Sequence, residues 1–141
     1  MSKTGRLHSM LFVALFLVTS LSVWVFAKPY TPKAGSAERK AILNSFRVPI
    51  QREANGQTVV FYDVLLRVEK GWAYVSAIAK DKTGKKLVVG DAASIGLLHK
   101  ESGRWVVKHW GVASDISVTC AAAKAYPQAP RAIFGATLSA C

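Results

Sequence analysis

The stretch ASIGLLHKESGRWVVKHWGVASDIS, from Ala93 to Ser117, decides the fold of this chain. Apolar and polar residues alternate on both sides of Glu101-Ser102-Gly103, which indicates two β-strands joined by a tight turn. Glycine suits the last place of a three-residue loop, because that place requires a positive φ. We therefore predict a central β-hairpin with a three-residue loop.

This loop predicts which residues lie opposite each other in the hairpin. The expected pairs are Lys100 with Arg104, Leu98 with Val106, Leu97 with Val107, and Ile95 with His109. One face would then carry Ile95, Leu97, His99, Trp105, Val107 and His109, and the other Ser94, Leu98, Val106 and Trp110. Both faces are partly apolar, which is typical of a hairpin covered by a helix on one side and partly covered on the other.

Two upstream segments extend the hairpin into an antiparallel meander. Thr58–Val68 alternates like a long strand, and Trp72–Lys80 is a second strand. Small residues occupy one face of that second strand, namely Ala73, Val75, Ala77 and Ala79. Tight turns are expected at Glu69–Gly71 and Lys82–Gly84, with a short return strand at Lys86–Val89. The small face leaves room for a helix.

That helix is predicted just before the meander. Ser36 is a suitable N-cap for a helix that begins at Ala37, with an apolar stripe of Ala41, Ile42, Leu43 and Phe46. Val48-Pro49 is expected to end it, because the residue before proline avoids the α conformation. The order predicts an α+β fold, with one N-terminal helix packed on a four- to five-stranded antiparallel meander, in the cystatin-like or nuclear-transport-factor-2-like arrangement.

The N-terminal region has the features of an export signal. Lys3 and Arg6 precede an uncharged run from Ser9 to Ala27, which ends in small residues suited to a signal peptidase. We predict a signal peptide at 1–27, a leader at 28–35, an α+β domain at 36–117 and a C-terminal tail at 118–141. An uncleaved membrane anchor remains the alternative for residues 9–27, because the run is as long as a short transmembrane helix.

Cys120 and Cys141 are the only cysteines among the 141 residues. In an exported protein they predict a disulfide that pins the C-terminal tail. The Ala-rich piece Cys120–Tyr126 is expected to form one or two helical turns, and Pro127 and Pro130 then fix an extended segment. The wide spacing of the two cysteines does not fit a redox-active C-x-x-C pair, and they lack a nearby histidine for zinc. We expect a periplasmic or secreted location and no cofactor.

The chain is strongly basic, with a net charge of +11. Lys3 and Arg6 are two of its 19 basic residues, and all eight acids follow residue 27, so the mature chain keeps a charge of +9. Aromatic residues lie among these cations, and the candidate binding surface consists of Lys82, Lys85, Lys86, Arg104, Trp105, Lys108 and Trp110. Its partner would be an envelope protein or another anionic surface, whereas nucleic acid is not expected at an exported address. A solvated basic surface is the simpler interpretation.

Catalytic motifs are missing from the sequence. It contains no G-x-S-x-G elbow, glycine-rich phosphate loop, H-E-x-x-H or clustered acidic metal loop. Asp63, His99 and His109 are the candidates for a pocket, since two histidines on one sheet face could act as a base or bind a metal. Half-exposed histidines packed beside aromatic rings are the competing interpretation.

Several segments resemble a family of small exported bacterial proteins of unsettled activity. In chain order they are Ala37–Leu43, Gly71–Val75, Leu97-Leu98, Gly103–Val107, Ser114-Asp115 and Pro130–Phe134. The resemblance implies an α+β domain in the cell envelope and supplies no catalytic residue. We expect a non-enzymatic binding protein, with an inhibitor- or immunity-like role as the specific form. The alternative is a small-ligand carrier or small enzyme that uses the interior of a nuclear-transport-factor-2-like cone.

Overall fold

The computed structural model describes residues 28–87 and 92–141. The elements follow the chain in the order α1 (Ala37–Glu53), β1 (Val60–Glu69), β2 (Trp72–Lys80), β3 (Ala93–Glu101), β4 (Arg104–Ala113), α2 (Ser117–Ala125) and a 3-10 segment (Arg131–Ala140). The strands form one antiparallel sheet in the order β1-β2-β3-β4. The predicted α+β class, with an N-terminal helix and a four-stranded antiparallel meander, is confirmed. The predicted signal peptide lies outside the described residues.

Helix α1 begins as predicted and ends later than predicted. The Ser36 hydroxyl accepts a hydrogen bond from the Arg39 backbone N–H at 3.2 Å, which confirms the N-cap. The predicted end at Val48-Pro49 was wrong, because the helix runs through Pro49 to Glu53. The additional turn buries Ile50, which is only 3% exposed, and this burial offsets the hydrogen bond that proline cannot make.

The small residues of β2 receive α1, as the sequence predicted. Ala73, Val75, Ala77 and Ala79 are buried in one cluster with Ile42, Phe46 and Ile50 of the helix. On β3 the helix meets Gly96, where an added Cβ would lie 2.4 Å from Cε2 of Phe46. The Phe46 ring thus occupies the place that any other side chain at position 96 would need.

The register of the central hairpin differs from the prediction. Ser102 and Gly103 both have positive φ, 47° and 80°, so they form a two-residue turn rather than the end of a three-residue loop. Glu101 then pairs with Arg104, and Leu98 with Val107 instead of Val106. Further along, Leu97 pairs with His109, so Lys108 is an extra residue in a β-bulge.

This shift also exchanges the predicted faces. Trp105 and Val107 lie on the α1 side with Leu98, whereas Ile95 and Leu97 lie on the other side. The prediction that Trp105 and Val107 share a face with Ile95 and Leu97 was therefore wrong. A change of one residue in register turns every following side chain to the opposite face of a strand.

The C-terminal region covers the second face of the sheet. The helical turns expected at Cys120–Tyr126 are present within α2, whereas the extended tail predicted after Pro127 was wrong, because a 3-10 segment with a kink at Gly135 occupies that region. The residues buried between these elements and the sheet are Trp72, Tyr74, Ile95, Leu97, Ala122, Ala129, Ile133, Phe134 and Leu138. Short helices form here because their apolar residues shield large side chains that the sheet would otherwise expose to water.

Specific contacts hold the C-terminal region in place. The predicted disulfide between Cys120 and Cys141 is present, with 5.5 Å between the two Cα atoms. The buried hydroxyls of Tyr74 and Thr119 are hydrogen-bonded at 2.9 Å. The Tyr126 hydroxyl donates to the backbone carbonyl of Lys108 at 2.7 Å, so it satisfies an acceptor at the β4 bulge.

The leader is part of the sheet edge rather than a free connection. Tyr30 exchanges two backbone hydrogen bonds with Val68 of β1, at 2.9 and 2.8 Å, and Thr31 donates its hydroxyl to the Leu66 carbonyl. Of the predicted return strand, Lys86 forms a single bridge with Lys80, and residues 88–91 lie outside the described ranges. Among the residues described, no helix is both long and apolar enough to cross a membrane.

Candidate binding groove

The three pocket candidates do not converge on one site. Asp63 is exposed in a β-bulge of edge strand β1 and has a positive φ of 49°. His109 lies on β4, the opposite edge, so three strand spacings, about 14 Å, separate the two positions. His99 and His109 do share a sheet face, because His109 pairs with Leu97 two residues before His99.

The surroundings of His99 are those of a packed strand histidine. Its ring lies 4.3 Å from the ring of Trp72, and its Nδ1 is 3.3 Å from Oε1 of Glu101. Lys108 donates to the same carboxylate oxygen at 2.9 Å, and Lys108 and then His99 hold the pKa of Glu101 below its usual value. The same contact with Glu101 raises the pKa of Lys108. The contacts of His99 are therefore with Trp72 and Glu101 of the same sheet.

The seven residues proposed as one binding surface fall into two separate regions. Lys82, Lys85 and Lys86 lie beside the connection from β2 to β3, whereas Arg104 follows the turn at the other end of β3. The nine residues of β3 separate these ends by about 27 Å, at about 3.4 Å per residue. Lys108 points to Glu101 and is engaged there. The structure therefore places Arg104 and the three lysines at opposite ends of β3.

The lysine-rich connection is organised by an aspartate. The Asp81 carboxylate accepts hydrogen bonds from the Thr83 hydroxyl and from the backbone N–H groups of Thr83 and Lys85. These contacts, the Thr83 hydroxyl first, hold the pKa of Asp81 below its usual value. Lys82, Lys85 and Lys86 are exposed along the turn that Asp81 organises, and their charges are dispersed over it.

Trp105 and Trp110 lie in a groove between α1 and β4. The groove has a volume of about 440 Å³ and is lined by Ser45, Val48, Pro49, Arg52, Trp105, Val106, Val107 and Trp110. Val48 and Val106 are unusually open for their type, at 51% and 37% exposed. A concave apolar strip beside an edge strand, with one arginine on its wall, is suited to binding.

The helical wall of this groove was missed by the sequence prediction. Val48, Pro49 and Arg52 belong to the helical turns beyond the point at which α1 was expected to end. Their exposure follows from helical periodicity, since Phe46 and Ile50 face the sheet and the residues between them face outward. The signal in the sequence that could have predicted this wall is the apolar pair Val48-Pro49, which lies on the outer face of the helix.

The β4 wall owes its shape to the corrected register. Trp105 is 7% exposed, packs under α1, and lies beneath the Lys100 ammonium group, 5.7 Å from its ring centroid. Trp110 pairs with Gly96, and it also borders a second, smaller cavity with Glu53 and Leu87. The two tryptophans therefore serve the core and the groove at once.

Within residues 28–87 and 92–141, no group of three or more His, Cys, Asp and Glu side chains is placed to hold a metal ion. Comparisons with protein-family models, with curated proteins and with solved structures give no match. The fold and groove define the chain as a small disulfide-bonded α+β protein with an open sheet edge. The resemblance to exported bacterial proteins remains a prediction.

Proposed function

We propose that this protein is an exported, non-enzymatic binding protein that recognises another protein through the groove between α1 and β4. The observation that carries the proposal is the groove itself, where exposed Val48 lies beside two tryptophans. Exposed aliphatic residues around aromatic anchors are typical of protein interfaces. An inhibitor- or immunity-like role against an envelope enzyme is the specific form of this proposal.

Export and location belong to the same proposal. The basic and apolar N-terminal sequence supports a signal peptide, and the Cys120–Cys141 disulfide is consistent with an oxidising compartment such as the periplasm or the exterior. The helix followed by a four-stranded meander supports a cystatin-like or nuclear-transport-factor-2-like arrangement. That assignment rests on element order alone.

The alternative, a small-ligand carrier or small enzyme with an internal cone, has less support. Phe46 is fully buried on the α1 side of the sheet and Phe134 is 1% exposed on the other. Large side chains therefore occupy the two spaces in which such a ligand would bind. Asp63 also lies far from the two histidines that would serve the same site.

Affinity capture with matched variants tests the proposed function. The oxidised mature protein is used as bait in an envelope extract, beside Val48→Glu and Val60→Glu. Val60 is 36% exposed on β1, so the second variant places the same charge on the opposite sheet edge. We expect one stoichiometric protein partner that Val60→Glu retains and Val48→Glu loses at least tenfold. Equal retention by both variants, or no partner, would contradict the proposal.

A further inference from the structure

The two edges of the sheet differ in how their backbone groups are used. On β1, Tyr30 pairs with Val68, and a bulge at Asp63 interrupts the remaining edge. On β4, no strand among the described residues pairs with the outer side. An unpaired edge presents N–H and C=O groups that another extended chain can use. The β4 edge is therefore the open one.

The turn geometry identifies the residues of β4 whose backbone groups point outward. Lys100 gives its N–H to the Gly71 carbonyl on the β2 side at 2.8 Å. Its partner on β4 is Trp105, so this pair is not the hydrogen-bonded kind, and Trp105 directs its N–H and C=O to the outer edge. Val107, two residues further, does the same, whereas Val106 bonds inward to β3. Both outward residues line the groove.

The length of regular edge is short but adequate for a peptide. The β4 strand is free of bulges from Arg104 to Val107 and then interrupted at Lys108. An added strand would make its backbone hydrogen bonds to Trp105 and Val107. Every second side chain of that strand would face the α1 wall, where Val48 and Arg52 lie.

The charges around the groove select the occupant. Arg52 lies on the helical wall, and the Lys100 ammonium group lies over Trp105 on the same side of the sheet. The strand itself contains Arg104, Lys108 and His109 and no acidic residue. A second copy paired through β4 would bring like charges together, which is unfavourable across neighbouring strands. An acidic chain complements this edge instead.

We propose that an acidic, extended segment of a protein partner binds by adding a strand to β4 at Trp105 and Val107, with its carboxylates on the α1 side directed to Arg52. This inference rests on the proposed function and specifies its mode of recognition. Backbone hydrogen bonds to the edge supply affinity, and the basic wall selects acidic sequences.

Selection from a displayed library of random twelve-residue peptides tests this mode. The oxidised protein is the target, and the enriched peptides are then measured against Arg52→Glu and Lys40→Glu. Arg52 and Lys40 are both exposed on α1, so the two variants make the same charge change on one helix. We expect enrichment of sequences in which acidic and β-branched residues alternate. Binding should fall at least tenfold in Arg52→Glu and change less than twofold in Lys40→Glu.

Amide hydrogen exchange supplies a readout specific to strand addition. Saturation with an enriched peptide should slow exchange at Trp105 and Val107 at least tenfold and leave Val106, already bonded inward, little changed. Neutral or basic consensus sequences, no enrichment, or protection elsewhere would overturn the proposal. Protection of the same amides by dimerisation without peptide would also overturn it, in favour of a second copy.

The two proposals fail in different ways. A partner captured in a Val48-dependent manner, without protection of Trp105 and Val107, would leave the proposed function standing and reject strand addition. Loss of Val48 dependence in the capture experiment would reject the proposed function, whatever the peptides do.

Discussion

The two faces of the sheet are closed by segments of very different regularity. On one face, the 17-residue helix α1 packs on small residues, and Phe46 fits over Gly96. On the other, a nine-residue helix and a kinked 3-10 segment cover Trp72 and Tyr74, held by a disulfide. One face therefore depends on shape complementarity, and the other on covalent and hydrogen-bonded attachment. Of the four predictions that follow, the first three test this difference.

Removal of the disulfide should have the largest effect. In the Cys120→Ser, Cys141→Ser double variant, we expect the free energy of unfolding to fall by about 3 kcal/mol, because the bridge closes a separation of 21 residues. Chemical denaturation monitored by tryptophan fluorescence measures the loss. Wild-type protein in reductant is the matched control and should behave like the variant. Unfolding at the unchanged denaturant concentration would show that the C-terminal region holds its position without the bridge.

A methyl group at position 96 should disrupt the α1 face. Gly96→Ala places its Cβ 2.4 Å from Phe46, so we expect a loss of about 2 kcal/mol from overpacking. Gly111→Ala is the control on the other face, where the added Cβ would meet Val118 Cγ2 at 3.0 Å. The control should lose less than half as much, because a valine methyl group on a short helix can shift. Thermal unfolding distinguishes the two, and equal losses would remove the contrast between the faces.

The buried hydroxyl pair should contribute less than either of these features. Tyr74→Phe leaves the Thr119 hydroxyl buried without its partner, and we expect a loss of about 1 kcal/mol in stability. Urea denaturation measures this change.

Ser94 provides the matched comparison on the α1 face. It pairs with Ala77, is fully buried, and its hydroxyl has no hydrogen-bond partner in the described structure. Ser94→Ala should leave stability unchanged or raise it slightly, because it removes an unsatisfied polar group. A loss as large as that of Tyr74→Phe would show that the α1 face also depends on polar contacts.

Loss of the Lys108–Glu101 ion pair at the hairpin end should have the smallest effect on stability. The sign of this effect follows from the lowered pKa of Glu101. A carboxyl with a lowered folded pKa stabilises the protein above its unfolded pKa, and this contribution disappears as pH falls through the folded value. Lys108→Met should raise the pKa of Glu101 toward its ordinary value, as followed by NMR titration of the carboxyl carbon. Lys124 is exposed on α2, so Lys124→Met is the control and should leave the pKa of Glu101 unchanged. An unmoved Glu101 titration in Lys108→Met would contradict the assignment.

Local patterns were sufficient to predict the elements and the α1 face. Ser36 marked the start of the helix, and the alternation of alanine in β2 marked the face on which it packs. The pairing of Cys120 with Cys141 followed from their being the only two cysteines in an export-type sequence. These features depend on residues close in sequence or on counts, so they can be derived without a tertiary structure.

The groove and the pocket candidates were decided by tertiary structure. Whether Glu101 belongs to the turn or to the strand depends on a conformation of Ser102 that its residue type disfavours. That single choice moved Trp105 to the α1 side and opened the groove. Asp63 was separated from the histidines by strand order, which no local pattern contains.

The sequence by itself determined that the chain forms a helix, a four-stranded antiparallel meander and a disulfide, because periodicity, caps and cysteine number are local properties. Only the tertiary structure decided that α1 continues past Pro49 and that the chain after Pro130 folds back as a 3-10 segment. In both cases burial of distant apolar surface, for Ile50 and for Phe134, outweighed the local preference of the backbone.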